Sequence, residues 1–295
     1  MIEQIIYEYL ISEQTIIDKL TTYDGVPAVF HMEAPNDQDE LWDKGPKYPR
    51  VIYELSMKED PERQTSGMLM VDFYFNTDSG IFIEEVNPIF INAISGRFFT
   101  DEKDTIAAVW RQSDPFTTPE NGSHVAGVTI TFDVYAFPQQ LTFEPDPVKA
   151  VNEYIKTLCP EITRICIDQT ESVWQATDKA PAVYVRLQRI NPGTFHSTYH
   201  VTWYNPIMLL HVMAPSMDTR TIILKRIVET LQQKQRIILP DGSPLMIVRM
   251  ALTVGADQLK IGQLSIEASY GILRSYPETD VMTNVDISDQ TEKEV

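Results

Sequence analysis

Cysteine is nearly absent from this sequence of 295 residues, which contains only Cys159 and Cys166. The intervening "PEITRI" gives neither a metal-ligating nor a redox spacing. We interpret both residues as reduced thiols that pack in the core as small apolar side chains. The sequence therefore predicts a protein without a disulfide framework and without a metal site built on cysteine.

Long apolar runs are also missing. The longest such stretch is "PIMLLHVMAP", Pro206 to Pro215, which is far shorter than the roughly 20 residues that a membrane-spanning helix needs. The first residues, "MIEQIIYEYLISEQ", carry acids and lack the basic region of a signal peptide. We expect a soluble protein of the cytoplasm that has no contact with a membrane.

Basic residues are scarce, with 24 Lys and Arg against 42 Asp and Glu and a net charge of −18. Cationic side chains supply most of the affinity of a protein for phosphate backbones, so a chain this acidic is not expected to grip nucleic acid. A protein that encircles DNA without holding it remains compatible with this charge, because an acidic wall repels the phosphates.

Motifs that carry chemistry are absent as well. The sequence has no G-x-G-x-x-G, no P-loop and no G-x-S-x-G elbow. His196 and His200 lie in a strand-like context that would separate them by roughly 13 Å, too far to share a metal. The acidic stretch Asp37 to Asp43 lacks the glycine turn of a calcium loop, so it predicts a solvated loop. We expect no enzymatic activity, no metal and no cofactor, with an unrecognised active or binding site as the alternative.

The pattern that the sequence does contain is a mixture of strand alternation and helical periodicity. In the first part it predicts a helix that breaks near Ser12 and a helix that starts between Ser79 and Asn87 and ends at Gly96. In the second part it predicts a helix capped by Asp146 and a helix over 216–235. The predicted strands lie at 26–32, 50–57, 67–76, 105–116, 128–137, 162–169, 180–190, 198–214, 246–253 and 263–277.

The order of these elements occurs twice. "YPRVIYEL" at 48–55 matches "APAVYVRL" at 180–187, and "VTITFDVYAFP" at 128–138 matches "LSIEASYGILRSYP" at 264–277. This predicts a tandem duplication of a domain of about 130 residues, with coincidence between generic α+β patterns as the alternative. The fold class is α+β, with two similar domains that are each a mostly antiparallel sheet packed by helices. The predicted boundaries are 1–138 for the first domain, 139–147 for a proline-rich linker, 148–277 for the second domain and 278–295 for an acidic, mobile tail.

The two faces of the strand at 128–138 have different predicted roles. One face carries Val128, Ile130, Phe132, Val134 and Ala136, and we expect it to pack on the helix that ends near Gly96. The other face carries Thr129, Thr131, Asp133, Tyr135 and Phe137, and we expect it to form a contact between subunits or the wall of a lumen.

The repeated unit resembles the tail terminator, or tail completion, proteins of tailed bacteriophages. In the first copy the resemblance rests on "YPRVIYEL", "GMLMVDFYFN", "INAISGRF" and "VTITFDVYAFP". In the second copy it rests on "APAVYVRL", "PIMLLHVMA", "TIILKRIVETLQ" and "LSIEASYGIL". Typical members of the family have one such domain, so this chain resembles a two-domain version from the neck of the virion.

The resemblance implies a tail-terminator-like fold and a structural role. Such proteins form rings, usually of six subunits, which cap the tail tube and meet the head connector; here a ring of three is the alternative. The implied partners are further copies of the chain, the tail tube protein, the head connector or adaptor protein and, in a contractile tail, the sheath protein. DNA would pass through the lumen without specific binding, in a virion assembled in the host cytoplasm. Another head–tail connector or baseplate component is the alternative.

Two loops are the candidate contact surfaces of such a ring. The loops at 56–66 and 190–198 follow matching strands in the two copies, and we expect them to face neighbouring subunits or the tube. The candidate interface residues are Lys58, Glu59, Asp60, Glu62, Arg63, Gln64, Pro192, Thr194, Phe195 and His196.

Overall fold

Two halves of similar build make up the chain. The computed structural model describes residues 1–42, 47–58, 66–102, 104–120, 123–140, 143–193 and 200–274. We define the first half as residues 1–138 and the second half as residues 139–274. Each half combines helices with one large, mostly antiparallel sheet, so the predicted α+β class is confirmed.

The first half begins with helices and continues with strands on both sides of a third helix. Its helices are α1 (Ile2–Leu10), α2 (Gln14–Ile17) and α3 (Ile83–Ile94), with a 3-10 turn at Thr77–Ser79. Its strands are β1 (Thr22–Tyr23), β2 (Val26–Pro27), β3 (Val29–His31), β4 (Arg50–Met57), β5 (Gly67–Asn76), β6 (Arg97–Thr100), β7 (Asp104–Glu120) and β8 (Ser123–Pro138).

The second half has the same general order. Its helices are α4 (Pro147–Leu158) and α5 (Met217–Lys234). Its strands are β9 (Thr163–Arg164), β10 (Val173–Gln175), β11 (Ala182–Gly193), β12 (Val201–Met213), β13 (Arg236–Ile238), β14 (Pro244–Leu252) and β15 (Leu264–Leu273). No helix in the described ranges is long and apolar enough to cross a membrane.

The two large sheets share one strand order. In the first sheet the neighbours run β6-β7-β8-β5-β4-β3, and in the second they run β13-β14-β15-β12-β11-β9. The pairs at the end of these orders, β4 with β3 and β11 with β9, are parallel. All the other neighbouring pairs in the two orders are antiparallel. α3 and α5 connect equivalent strands. This agreement supports the duplication that the sequence predicts.

A β-bulge recurs at the same place in both sheets. The register of β7 on β8 shifts at Arg111, and the register of β14 on β15 shifts at Val248. The partner positions just before the shift, Phe132 and Ala268, lie 136 residues apart (132 and 268), as do the matched closing strands. Bulges are specific features that related folds retain, so the two sheets can be aligned residue by residue.

Each sheet buries one face under its own helices. β5 alternates along its length, so that Leu69, Val71 and Phe73 are buried. In β8, the predicted core face is confirmed: Val128, Ile130, Phe132 and Val134 are buried in one cluster with Phe90 of α3, and Ala136 packs against it. The second half forms its own core between α4, α5 and the second sheet.

Some predicted elements differ from the structure. The predicted strand 162–169 ends at Arg164, because Asp168 accepts hydrogen bonds from the Arg164 N–H and guanidinium and folds the segment into a turn. The predicted strands 105–116 and 128–137 are longer in the structure, since β7 extends to Glu120 and β8 begins at Ser123. The short strands β6, β10 and β13 were not predicted, because three or four residues carry too little pattern.

The start of α4 supplies a first prediction. Asp146 is buried, and its carboxylate accepts hydrogen bonds from the N–H groups of Val148 and Lys149. Asp146→Ala should lower the free energy of unfolding by about 1–2 kcal/mol, because the first turn loses its acceptor. Urea denaturation measures the change. Asp146→Asn keeps an acceptor oxygen and should lose much less; equal losses in both variants would contradict the capping role.

The turn after β9 supplies a second prediction. Burial by itself would raise the pKa of Asp168, but hydrogen bonds from Arg164 overcome this and hold the pKa below its usual value. The lowered pKa adds stability that is present above the unfolded value of about 4 and is lost as pH falls through the lower folded value. Asp168→Asn should cost about 2 kcal/mol at pH 7. Urea titrations at several pH values should show that the difference in unfolding free energy between wild type and variant becomes smaller below pH 4. A difference that does not depend on pH would contradict the prediction.

Candidate interaction surfaces

The outer faces of the two sheets, which point away from α3 and α5, meet at one end in a shared buried cluster. Tyr135 and Phe137 of β8 pack there with Tyr184 of β11, and the Phe137 and Tyr184 rings meet edge to face at 5.2 Å. The other buried members are Phe98, Ala107, Ile165, Ala176, Ala182 and Met213. The prediction that the face of Tyr135 and Phe137 contacts other subunits or lines a lumen is therefore wrong at this end, because the second half covers it.

A strand of the second half also completes the first sheet. β10 pairs antiparallel with β6, with Trp174 opposite Phe98. These two rings stack at 4.3 Å with an interplanar angle of 10°, and the Trp174 indole N–H donates to Thr100 Oγ1 at 3.0 Å. The predicted boundaries at 138 and 148 stay a prediction, but residues 173–175 belong to the sheet of the first half.

Polar contacts hold the described part of the linker to the second half. The Gln140 amide donates to Tyr184 Oη at 2.7 Å and accepts from the N–H of Leu187 at 3.1 Å. Tyr184 Oη donates to the carbonyl of Pro138 at 2.8 Å. The start of the predicted linker is thus bound to β11, and the halves are joined by apolar packing, a shared sheet and hydrogen bonds.

The predicted contact loops are only partly within the described residues. Lys58 is exposed, and its N–H donates to the carbonyl of Ser66 at 2.7 Å at the base of the β4–β5 hairpin. Pro192 is exposed near the end of β11, opposite Tyr204. The other candidates lie outside the described residues: Glu59, Asp60, Glu62, Arg63, Gln64, Thr194, Phe195 and His196. The strands that carry the two loops hold equivalent places in the two sheets, and the contact role stays a prediction. The tail predicted at 278–295 also lies outside the described residues.

The described part of the acidic stretch, residues 37–42, is more structured than a solvated loop. Asp37 forms an ion pair of 2.7 Å with Arg50, which is only 8% exposed. Asp39 accepts hydrogen bonds from the Tyr23 hydroxyl and from the backbone of the loop itself. These carboxylates therefore serve to fold the loop onto β4, and their oxygens have partners within the protein.

A wide cleft lies between α1 and the loops around β1 to β3. It has a volume of about 960 Å³, and Tyr7, His31 and Tyr53 are among its lining residues. Burial raises the pKa of Tyr53 to about 12, and its hydroxyl donates to the carbonyl of Glu3. Within the described ranges no three His, Cys, Asp or Glu side chains are grouped to hold a metal ion. The cleft thus presents phenols, an imidazole and the carboxylates of Glu3, Asp24 and Glu33.

No protein-family model matches the chain, and no curated protein matches it. The surfaces must therefore be interpreted from their own chemistry.

Trp174 tests whether the shared cluster joins the halves. Trp174→Ala removes the stack on Phe98. It should lower the free energy of unfolding by about 3 kcal/mol, as other truncations of large aromatic residues do. We expect the wild type to unfold in one transition and this variant to unfold in two, because the two halves then unfold independently. Differential scanning calorimetry measures this. Trp110→Ala, at a half-exposed site of the first half, is the control; a split in both variants, or in neither, would contradict the coupling.

Proposed function

We propose that the chain is a structural protein of a tailed bacteriophage virion, which forms a ring at the neck, ends the tail tube and joins it to the head connector. The observation that carries the proposal is the repeated α+β unit, whose sequence pattern resembles the tail terminator proteins. In this proposal each unit has a tail-terminator-like fold. The protein works by shape and contact and has no catalytic step.

The way in which the halves are joined supports a ring subunit. A ring closes when one surface of a subunit binds a different surface of the next. Two similar but non-identical halves offer such unlike surfaces, and their shared cluster and shared sheet keep them in a fixed relation. A ring of six chains follows the family pattern. A ring of three chains would present six similar units, which is the alternative.

The distribution of charge supports a passage for DNA. Between residues 1 and 138 there are 9 Lys and Arg against 24 Asp and Glu, a net charge of −15. Between residues 139 and 274 there are 14 against 12, a net charge of +2. An acidic first half suits a lumen wall, because phosphates are repelled and DNA slides without sticking. The nearly neutral second half suits protein contacts with the tube, the sheath or the head connector.

Negative-stain images of the purified protein test the proposal most directly. We expect rings with a central hole, and a mass of six or three chains by light scattering. A stable monomer at high concentration would contradict a neck ring. Rings that bind a baseplate or other connector protein instead of the tail tube would favour the alternative virion role.

The β4–β5 hairpin loop provides a mutational test. Replacing residues 58–64 by a short Gly-Ser turn should weaken ring assembly or tube binding at least tenfold, which is about 1.4 kcal/mol. Analytical ultracentrifugation and co-sedimentation with tail tubes measure this. The same replacement at 194–199 compares the equivalent loop of the second half. Unchanged assembly and tube binding in both variants would remove these loops from the interface.

A further inference from the structure

Part of one edge of the second sheet, on β14, has no partner strand among the described residues. β13 covers only the start of β14, from Pro244 to Met246, and the Ile247 N–H donates to the carbonyl of Gln235. Beyond this point, among the described residues, no strand pairs with the outer side of Val248 to Leu252. A short, open edge therefore remains on β14.

The register of β14 on β15 shows which backbone groups face outward. The Thr253 N–H donates to the carbonyl of Gln263 on the β15 side. Because backbone groups alternate along a strand, the groups of Arg249 and Ala251 also point to β15. The N–H and C=O groups of Met250 and Leu252 then point away from the sheet and can pair with another strand.

Most side chains along this edge are apolar and exposed, and Arg249 is the exposed charged residue among them. Val248 is 61% exposed and Leu252 is 39% exposed, and Met246 and Ile238 are exposed beside them. An open edge with apolar side chains is a template for pairing with another chain, and natural proteins usually block such edges.

The equivalent edge of the first sheet is blocked. β7 has a bulge at Arg111, which is equivalent to the bulge of β14 at Val248. Pro115 lies four residues after the first bulge and Leu252 lies four residues after the second, so the two residues hold equivalent positions. Proline lacks an N–H, so Pro115 removes the outward donor that Leu252 keeps, and Pro119 does the same two outward positions further along. The two copies of the unit differ at the group that permits pairing.

We propose that β14 pairs with β14 of a second copy of this chain, antiparallel, about a two-fold axis at Ala251. In this register Met250 lies opposite Leu252 of the other copy, and both strands use their outward backbone groups. Arg249 lies opposite Thr253, so no like charges meet. Ala251 lies opposite itself as a narrow pair, where Cα atoms approach to about 4.5 Å and a small side chain is favourable.

This contact is independent of the proposed ring. A two-fold contact uses the same surface on both chains and closes on itself, so it joins two chains and builds no ring alone. In a ring-forming protein it would join subunits pairwise, within one ring or between two. A failure of the β14 contact and a failure of ring formation can therefore be observed in separate experiments.

Cysteine cross-linking tests the register. Ala251→Cys should form a covalent dimer under mild oxidation, because the Cα distance of a narrow pair suits a disulfide. Wild type is one control, since Cys159 is buried and Cys166 half-buried. Ser265→Cys is the second control, since Ser265 pairs with Ala251 on β15 one strand further from the axis. We expect at least tenfold more dimer for Ala251→Cys than for either control on a non-reducing gel; equal amounts would overturn the proposal.

The edge itself is tested by adding Leu252→Pro, which reproduces Pro115 of the first sheet. This change should reduce the cross-linking of Ala251→Cys at least tenfold, while circular dichroism stays unchanged because no bond to β15 is lost. Leu252→Lys keeps the backbone and places a charge on the edge, so it repeats the test if proline perturbs folding. Undiminished cross-linking in a folded variant would overturn the proposal. If rings form but the cross-link does not, the edge-pairing proposal fails and the proposed function is retained. If the cross-link forms but rings do not, the proposed function fails and the edge pairing is retained.

Discussion

The burial of Phe137 and Tyr184 between the sheets is the contact on which the rest of the structure depends. Phe137 is completely buried, and aromatic side chains contribute more apolar area than other residues. Because this cluster lies on the outer faces of both sheets, it fixes how the halves are held while leaving each core intact under its own helices. The chain therefore has two cores joined by a third, smaller one. β10 adds a strand to the first sheet beside this cluster, and Gln140 donates a hydrogen bond to Tyr184 within it.

Much of the fold within each half could be predicted from the sequence. β4 and β5 match their predicted bounds, and the Asp146 cap and the core face of β8 agree with the structure. These features are local, because alternation and capping are written in neighbouring residues. The role of Phe137 could not be predicted in this way, since its partner Tyr184 is 47 positions away (137 and 184) and a buried outer face has the same pattern as an interface between subunits.

The candidate interaction surfaces could also be predicted only in part from the sequence. The two contact loops follow from matching strands, but most of their residues lie outside the described ranges. The open edge of β14 gave no signal in the sequence alone, because exposure depends on where β13 ends. The one available signal was Pro115 at the position of Leu252, and it becomes meaningful only once the two bulges align the strands.

The position of β10 in the first sheet has a consequence for synthesis. The ribosome completes β8 at Pro138 and reaches Val173 about 35 residues later, which takes roughly two to seven seconds at ordinary elongation rates. During that interval the first sheet has no strand against β6, and Phe98 has no indole to stack on. The first half thus becomes complete only when part of the second has emerged, so the order of translation links the maturation of the two copies.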